Sequence, residues 1–265
     1  MTVLVSDIMR RGLVTCPPET TLGEAAALLV RERVHAVVVA DVAGAPAGVL
    51  ADSDLLAGEW LAGDEVSLDA MRRLTAGELM SAPLTKIDAA AGAAEAAERM
   101  LAERVSRLVV VEDGAPAGMI AVSDLVASAA GQPGGRGTVE DVMSRGFVAC
   151  RPETPAAGLA RAMTERRSRS VVVLDVGGTA VGVVTGRDLL PLAAAEDLDG
   201  KTAGDLMHPP LAIGPDATLR EAADRLVREE VHRLVVADPD GGVPLGIVST
   251  WDVLAEMAGP GSPWR

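Results

Sequence analysis

The sequence specifies a mixed α/β protein of the α+β type, made of four βαββα units that pair two by two. Three features lead there: a motif that recurs four times, a spacing that repeats the half-chain, and the same alternation of amphipathic helix and β-branched run inside each copy. Each unit opens with a short acidic turn ending in methionine: Val5-Ser-Asp-Ile-Met9, Ala76-Gly-Glu-Leu-Met80, Val139-Glu-Asp-Val-Met143 and Ala203-Gly-Asp-Leu-Met207. Each closes on a glycine followed by an aspartate, at Gly48 and Asp54, Gly118 and Asp124, Gly182 and Asp188, and Gly246 and Asp252. Met9 and Met143 lie 134 positions apart, as do Asp54 and Asp188, while Met80 and Met207 are separated by 127 and Asp124 and Asp252 by 128. The half-chain is itself duplicated, with unit one matching three and unit two matching four.

Within the first unit, the Ala- and Leu-rich stretch from Leu22 to Arg33 has helical periodicity, and Thr20, Thr21 and Glu24 resemble a capping box at its start. Ala36 to Ala40 is a β-branched run too short for a helix. A Gly/Pro/Ala turn and a second short strand, Gly48 to Ala51, follow, and Asp52 or Ser53 starts a last helix through Leu56. The same order fits Leu84 to Val126, Phe147 to Leu190 and Leu211 to Leu254. The repeats are thus expected at about 5–56, 76–126, 139–190 and 203–254. The first two form an N-terminal pair over 1–130 and the last two a C-terminal pair over 138–258, joined by the Gly/Pro-rich linker 131–137. Pairing is a physical requirement, because one small sheet of ~50 residues cannot cover its own apolar edge.

Composition narrows the function. A net charge of -14 argues against a phosphate backbone or an anionic membrane as main partner. An aromatic content of 2% leaves few platforms on which bases could stack. Two cysteines cannot build a disulfide framework, and no uninterrupted apolar run approaches the ~18 residues of a membrane span, so a cytoplasmic location is expected. Phosphate loops, nucleophile elbows and Cys-x-x-Cys pairs are absent, which points away from catalysis.

The opening methionine motif, the strand entry Val231-His-Arg-Leu-Val-Val-Ala-Asp238 and the closing Gly246-Ile-Val-Ser-Thr-Trp-Asp252, four copies in register, resemble the CBS domain family, whose units pair into Bateman modules. The resemblance covers roughly residues 3 to 256. It implies a non-catalytic sensor that binds an adenosine-containing ligand between paired units and regulates an effector protein outside the chain. AMP, ADP or ATP, with or without Mg, are the expected ligands, and S-adenosylmethionine or a dinucleotide are relatives of the same chemistry. A monomeric disc and a homodimer are equally compatible with the pairing.

Ribose offers two adjacent hydroxyls, which a carboxylate can accept while a nearby Ser or Thr hydroxyl adds a third contact. Thr185 with Asp188 and Ser249 with Asp252 supply both groups; Asp54 and Asp124 stand with Ala51 and Ala121 instead, so binding is expected mainly in the C-terminal pair. The competing reading is a plain capping box, which has the same spacing. Cationic contacts for phosphate are expected from His232, Arg233, Arg169 and Arg187, more weakly from Arg107 and His35, with helix N-termini near Gly186 and Thr250 adding backbone donors. Arg166, Arg167 and Arg169 form a basic cluster that a helix C-terminus would also favour. By the resemblance, the base lies on the partner unit's first strand: Val148, Ala149 and Cys150 toward Ser249/Asp252, and Leu211, Ala212 and Ile213 toward Thr185/Asp188. His35, His208 and His232 lack ligands at metal spacing, and Cys16 and Cys150 read as small apolar fillers. The alternative to a sensor is a scaffold whose degenerate sites bind no ligand and whose surface serves other proteins.

Overall fold

The computed structural model describes residues 3–52, 54–55, 74–130, 137–166, 168–195 (main chain only for 191–195), 200–238, 242–259 and 262–264. The linker expected at 131–137, apart from Gly137, lies outside the described residues, as do Ser53, Leu56 and Arg167.

Repeats two, three and four carry the strand, helix, strand, strand, helix order that their periodicity predicts, and repeat one carries it through its last strand, most of its expected closing helix lying outside the described residues. In the first, Thr15–Cys16 runs parallel to Ala36–Ala40 across the helix Leu22–Glu32, and Ala36–Ala40 pairs antiparallel with Pro46–Ala51. The other three repeat this with Lys86–Asp88, Arg107–Glu112 and Ala115–Ala121, with Val148–Cys150, Ser170–Leu174 and Ala180–Thr185, and with Ala212–Ile213, Arg233–Val236 and Gly246–Ser249. Thr21 caps the first long helix, donating its backbone N–H to Glu24 at 2.9 Å and accepting from Glu24 N at 3.4 Å. Thr218 and Glu221 do the same for Leu219–Arg228. These reciprocal bonds satisfy helix N–H groups that would otherwise lack partners, which is why the helices start at those threonines. The buried faces of these helices follow helical spacing, with Leu22, Ala25, Ala26 and Leu29, with Ala93, Ala96, Ala97 and Met100, and with Leu219, Ala222, Ala223 and Leu226.

The opening turns do not pack on the strands of their own repeats. The turn of repeat one lies against repeat two: Val5 N–H donates to Ala91 O at 2.8 Å, and Arg10–Arg11 pairs antiparallel with Met119 and Gly118. Repeat two returns the segment to repeat one, with Ala76 N–H on Thr20 O and Ser81 bridged to Val49. The C-terminal repeats make the same exchange, Ser144 bridging Ile247 and His208 bridging Val183. This exchange explains the closing glycine of the motif. A Cβ at Gly48 or Gly182 would fall on the Met80 or Met207 side chain, and one at Gly118 or Gly246 on the carbonyl oxygen of Arg10 or Ser144. At Gly48, Gly182 and Gly246 the opening methionine and the closing glycine are two halves of one contact.

By contacts the chain forms two compact units, one of residues 1–13, 85–146 and 211–265, the other of residues 14–84 and 147–210. The first holds the strands of repeats two and four, the second those of repeats one and three. In the first unit a single core joins both repeats, with Leu108, Ile120 and Leu125 from one and Leu234, Val248 and Leu254 from the other. Trp264 seals it from the C-terminal side, 2% exposed, its indole N–H donating to Ser128 Oγ at 2.9 Å. In the second unit Leu190 of repeat three enters the core of repeat one beside Leu22, Leu29 and Leu55.

Candidate functional site

All four closing aspartates occupy the same place, the third residue of a helix whose first turn follows the last strand. Each accepts the N–H of the residue three positions earlier: Ala51 to Asp54 at 2.8 Å, Ala121 to Asp124 at 2.7 Å, Thr185 to Asp188 at 2.7 Å and Ser249 to Asp252 at 2.8 Å. In the C-terminal repeats the hydroxyl adds a second bond to the same oxygen, Thr185 Oγ1 to Asp188 Oδ2 at 2.8 Å and Ser249 Oγ to Asp252 Oδ2 at 2.6 Å. The aspartate's half of a capping box is thus present in all four, with the side-chain half at Ser249, whose hydroxyl accepts the Asp252 N–H at 3.4 Å, and this does not exhaust the carboxylates. Capping consumes Oδ2, and Oδ1 of Asp252 accepts no hydrogen bond from the described residues. A carboxylate offers about four lone-pair directions, so one oxygen can cap the helix while the other serves a ligand.

Strand register sorts the expected cations. Arg107 pairs with Ala121 and Arg233 with Ser249, whereas Ala36 and Ser170 hold that position opposite Ala51 and Thr185. Directly paired residues share a sheet face with Cβ atoms ~5 Å apart, so Arg233 stands beside the Ser249 hydroxyl. His35, Arg169 and His232 are one residue earlier, at the bend before the strand. His35 donates from Nδ1 to Asp52 Oδ2 at 3.0 Å. Arg169 and Arg187 are both exposed. At Asp124, burial raises the carboxyl above its ordinary value, against the Ala121 N–H and the nearby charges of Arg107 and Arg10.

The exchange of opening turns brings one residue to each site that sequence reasoning left out. The residue after the opening methionine lies beside the closing strand, which places Arg10 in the unit of Asp124, Ser81 on repeat one, Ser144 on repeat four and His208 on repeat three. His208 Nε2–H donates to Asp188 Oδ1 at 2.8 Å. The signal was present, since His208 follows Met207 directly, but its target twenty residues upstream is set by strand bridging that no local pattern reports.

The strand expected to read a base, Val148–Cys150, lines a groove of about 430 Å³ with Arg151, Thr154, Gly158, Leu159 and Val171. Burial pushes the Cys150 thiol up, with a Thr154 hydrogen bond opposing it, as burial and Thr20 do at Cys16. Such thiols are poor nucleophiles and serve as small apolar groups. Val148–Cys150 belongs to the unit of residues 14–84 and 147–210, whereas Leu211, Ala212 and Ile213, with Ser249 and Asp252, belong to the other. Among the described residues no cluster of three or more His, Cys, Asp or Glu could hold a metal ion, and no helix is long and apolar enough to cross a membrane.

A family model for the CBS domain matches residues 5–59, 76–131, 139–194 and 203–259, and the chain belongs to that family. The fold is similar to that of a Methanocaldococcus jannaschii protein likened to the γ subunit of AMP-activated kinase, with a TM-score of 0.79 and 19% identity over 96% of this chain and 99% of the other. A conserved Pyrococcus horikoshii protein gives a TM-score of 0.65 at 20% identity over the same shares. In sequence, an uncharacterized Methanopyrus kandleri protein is 29% identical over 120 residues, 44% of this chain and 61% of its own. Subunit γ-3 of the pig 5'-AMP-activated protein kinase is 35% identical over 102 residues, 35% of this chain and 20% of its own. The chain thus spans less than two thirds of either relative.

Proposed function

We propose that this chain is a non-catalytic regulatory sensor that binds adenosine nucleotides through the closing carboxylates of repeats three and four. The observation that carries the reading is the division among the four repeats. All have an aspartate that accepts the backbone N–H three residues earlier, but only Thr185 and Ser249 place a hydroxyl on it, where repeats one and two have the alanines Ala51 and Ala121. At Ser249/Asp252 the open Oδ1 can accept from a ribose hydroxyl, while Arg233 on the same sheet face supplies a permanent positive charge for phosphate. Membership of the CBS family and the likeness to a subunit of an AMP-activated kinase support an adenosine ligand; an effector outside the chain and a cytoplasmic location complete the proposal.

The test is thermal melting of the full chain with AMP, ADP and ATP, with and without Mg²⁺, and with S-adenosylmethionine. A ligand that binds only the folded state at 100 times its Kd stabilises it by about 2.7 kcal/mol. The rise should shrink in Asp252→Ala and be lost when Asp188→Ala is added to it. A flat melting temperature across the panel refutes the sensor. For repeats one and two a scaffold role is favoured by Ala51 and Ala121, and by the placement of Arg10 and Arg107 where their charges already act on Asp124.

A further inference from the structure

We infer that His208 holds the repeat-three sugar site closed, so that repeats three and four, with near-identical carboxylate and hydroxyl pairs, differ in affinity. The inference rests on the nucleotide reading above and adds an internal competitor to it. Asp188 has two oxygens. Oδ2 is taken by the Thr185 N–H and hydroxyl at 2.7 and 2.8 Å, and Oδ1 by His208 Nε2 at 2.8 Å. A sugar hydroxyl can reach the open oxygen only by displacing the imidazole. In repeat four the equivalent backbone bridge, Ser144 to Ile247, carries a short hydroxyl side chain in place of the imidazole, and Asp252 Oδ1 accepts nothing from the described residues. The backbone geometry is the same in both, with His208 bridged to Val183 two residues before Thr185 and Ser144 bridged to Ile247 two residues before Ser249.

The blocking contact can open. The His208 side chain is 72% exposed while that of Asp188 is 13% exposed, so the imidazole can swing into water without disturbing packing, and the carboxylate stays anchored by its cap. His208 is therefore a competitor for the site, and its removal should strengthen binding, whereas a histidine that contacts the nucleotide itself would weaken binding when removed.

Calorimetric titration of the full chain with AMP decides between these. Asp252→Ala silences repeat four, so remaining binding reports Asp188. Adding His208→Ser to that variant copies the residue found at this position beside repeats one and four. AMP should then bind about tenfold more tightly, the change expected for one hydrogen bond to a charged group. His208→Gln, which keeps a donor of similar reach, should stay close to the parent. In the otherwise wild-type chain, His208→Ser alone should raise the AMP stoichiometry of the C-terminal repeats from one toward two at a fixed subsaturating concentration. That readout does not depend on the Asp252 substitution. Affinity and stoichiometry that are unchanged or reduced by His208→Ser overturn the inference while leaving AMP binding by the wild-type chain, and with it the sensor, intact. Absence of AMP binding in the wild type and every variant overturns both.

Discussion

Gly118 offers the sharpest test of the exchanged opening turns. A Cβ there would fall on the carbonyl oxygen of Arg10 and crowd Arg11 Cα, which are backbone atoms with no rotamer to give way. Gly118→Ala must therefore push the Arg10–Arg11 strand off its partner. Overpacking of this kind costs about 1–3 kcal/mol. The displaced segment also weakens bonds such as Gly12 N–H to Ala117 O at 2.9 Å, each contributing about 1 kcal/mol. A loss of about 2–4 kcal/mol follows, and at roughly 2–4 °C per kcal/mol for a protein of this size the melting temperature should fall by about 4–16 °C. Gly23→Ala is the matched control. It sits in the first turn of Leu22–Glu32 with nothing within 4 Å of its Cβ, so removing backbone freedom should stabilise the chain by about 0.5–1 kcal/mol. Circular dichroism melts and urea titrations of the two variants supply the comparison. If Gly118→Ala melts at or above the wild type, the opening turn of repeat one does not lie on the closing strand of repeat two, and the account of the glycine motif is wrong.

Other outcomes follow from single contacts. Trp264→Ala should cost about 3–5 kcal/mol in urea unfolding, because it empties a fully buried site and frees Ser128 Oγ from its indole partner; a shift below 1 kcal/mol would mean that the C-terminal segment does not seal the core. Asp124, whose folded carboxyl titrates above its ordinary value because of burial, should make stability fall as pH rises from about 4 toward that higher value, since the unfolded chain gives up its proton first. Asp124→Asn should flatten that part of the urea midpoint against pH, and an unchanged slope would remove Asp124 as its source. The opposite sign holds at Glu221 and Asp205, whose capping bonds lower the folded value, so their contribution is present above the ordinary carboxylate range and is lost as pH falls through the folded one.

Much of the candidate site was legible before any fold was known. Thr185/Asp188 and Ser249/Asp252 stand out because capping chemistry is local, a hydroxyl and a carboxylate three residues apart at a strand end, and the same locality made the alanines at 51 and 121 readable as departures. Strand-entry cations were harder. His232 and Arg233 are adjacent in sequence, yet only the pairing of Arg233 with Ser249 shows which of them shares a face with the hydroxyl, because side chains alternate along a strand and register is a property of two strands together.

Reading along the chain was enough for the four repeats, the order of their elements, the helix starts and the closing acids, since periodicity and capping act over a handful of neighbouring residues. Folding in three dimensions settled the rest. The opening methionine turns cross to the neighbouring repeat, the closing glycines exist to receive them, repeats two and four share one core, and His208 meets Asp188. These are contacts between segments far apart in sequence, chosen by which uncovered strand edge and apolar face each segment can satisfy, and that choice is made only when the whole chain is packed.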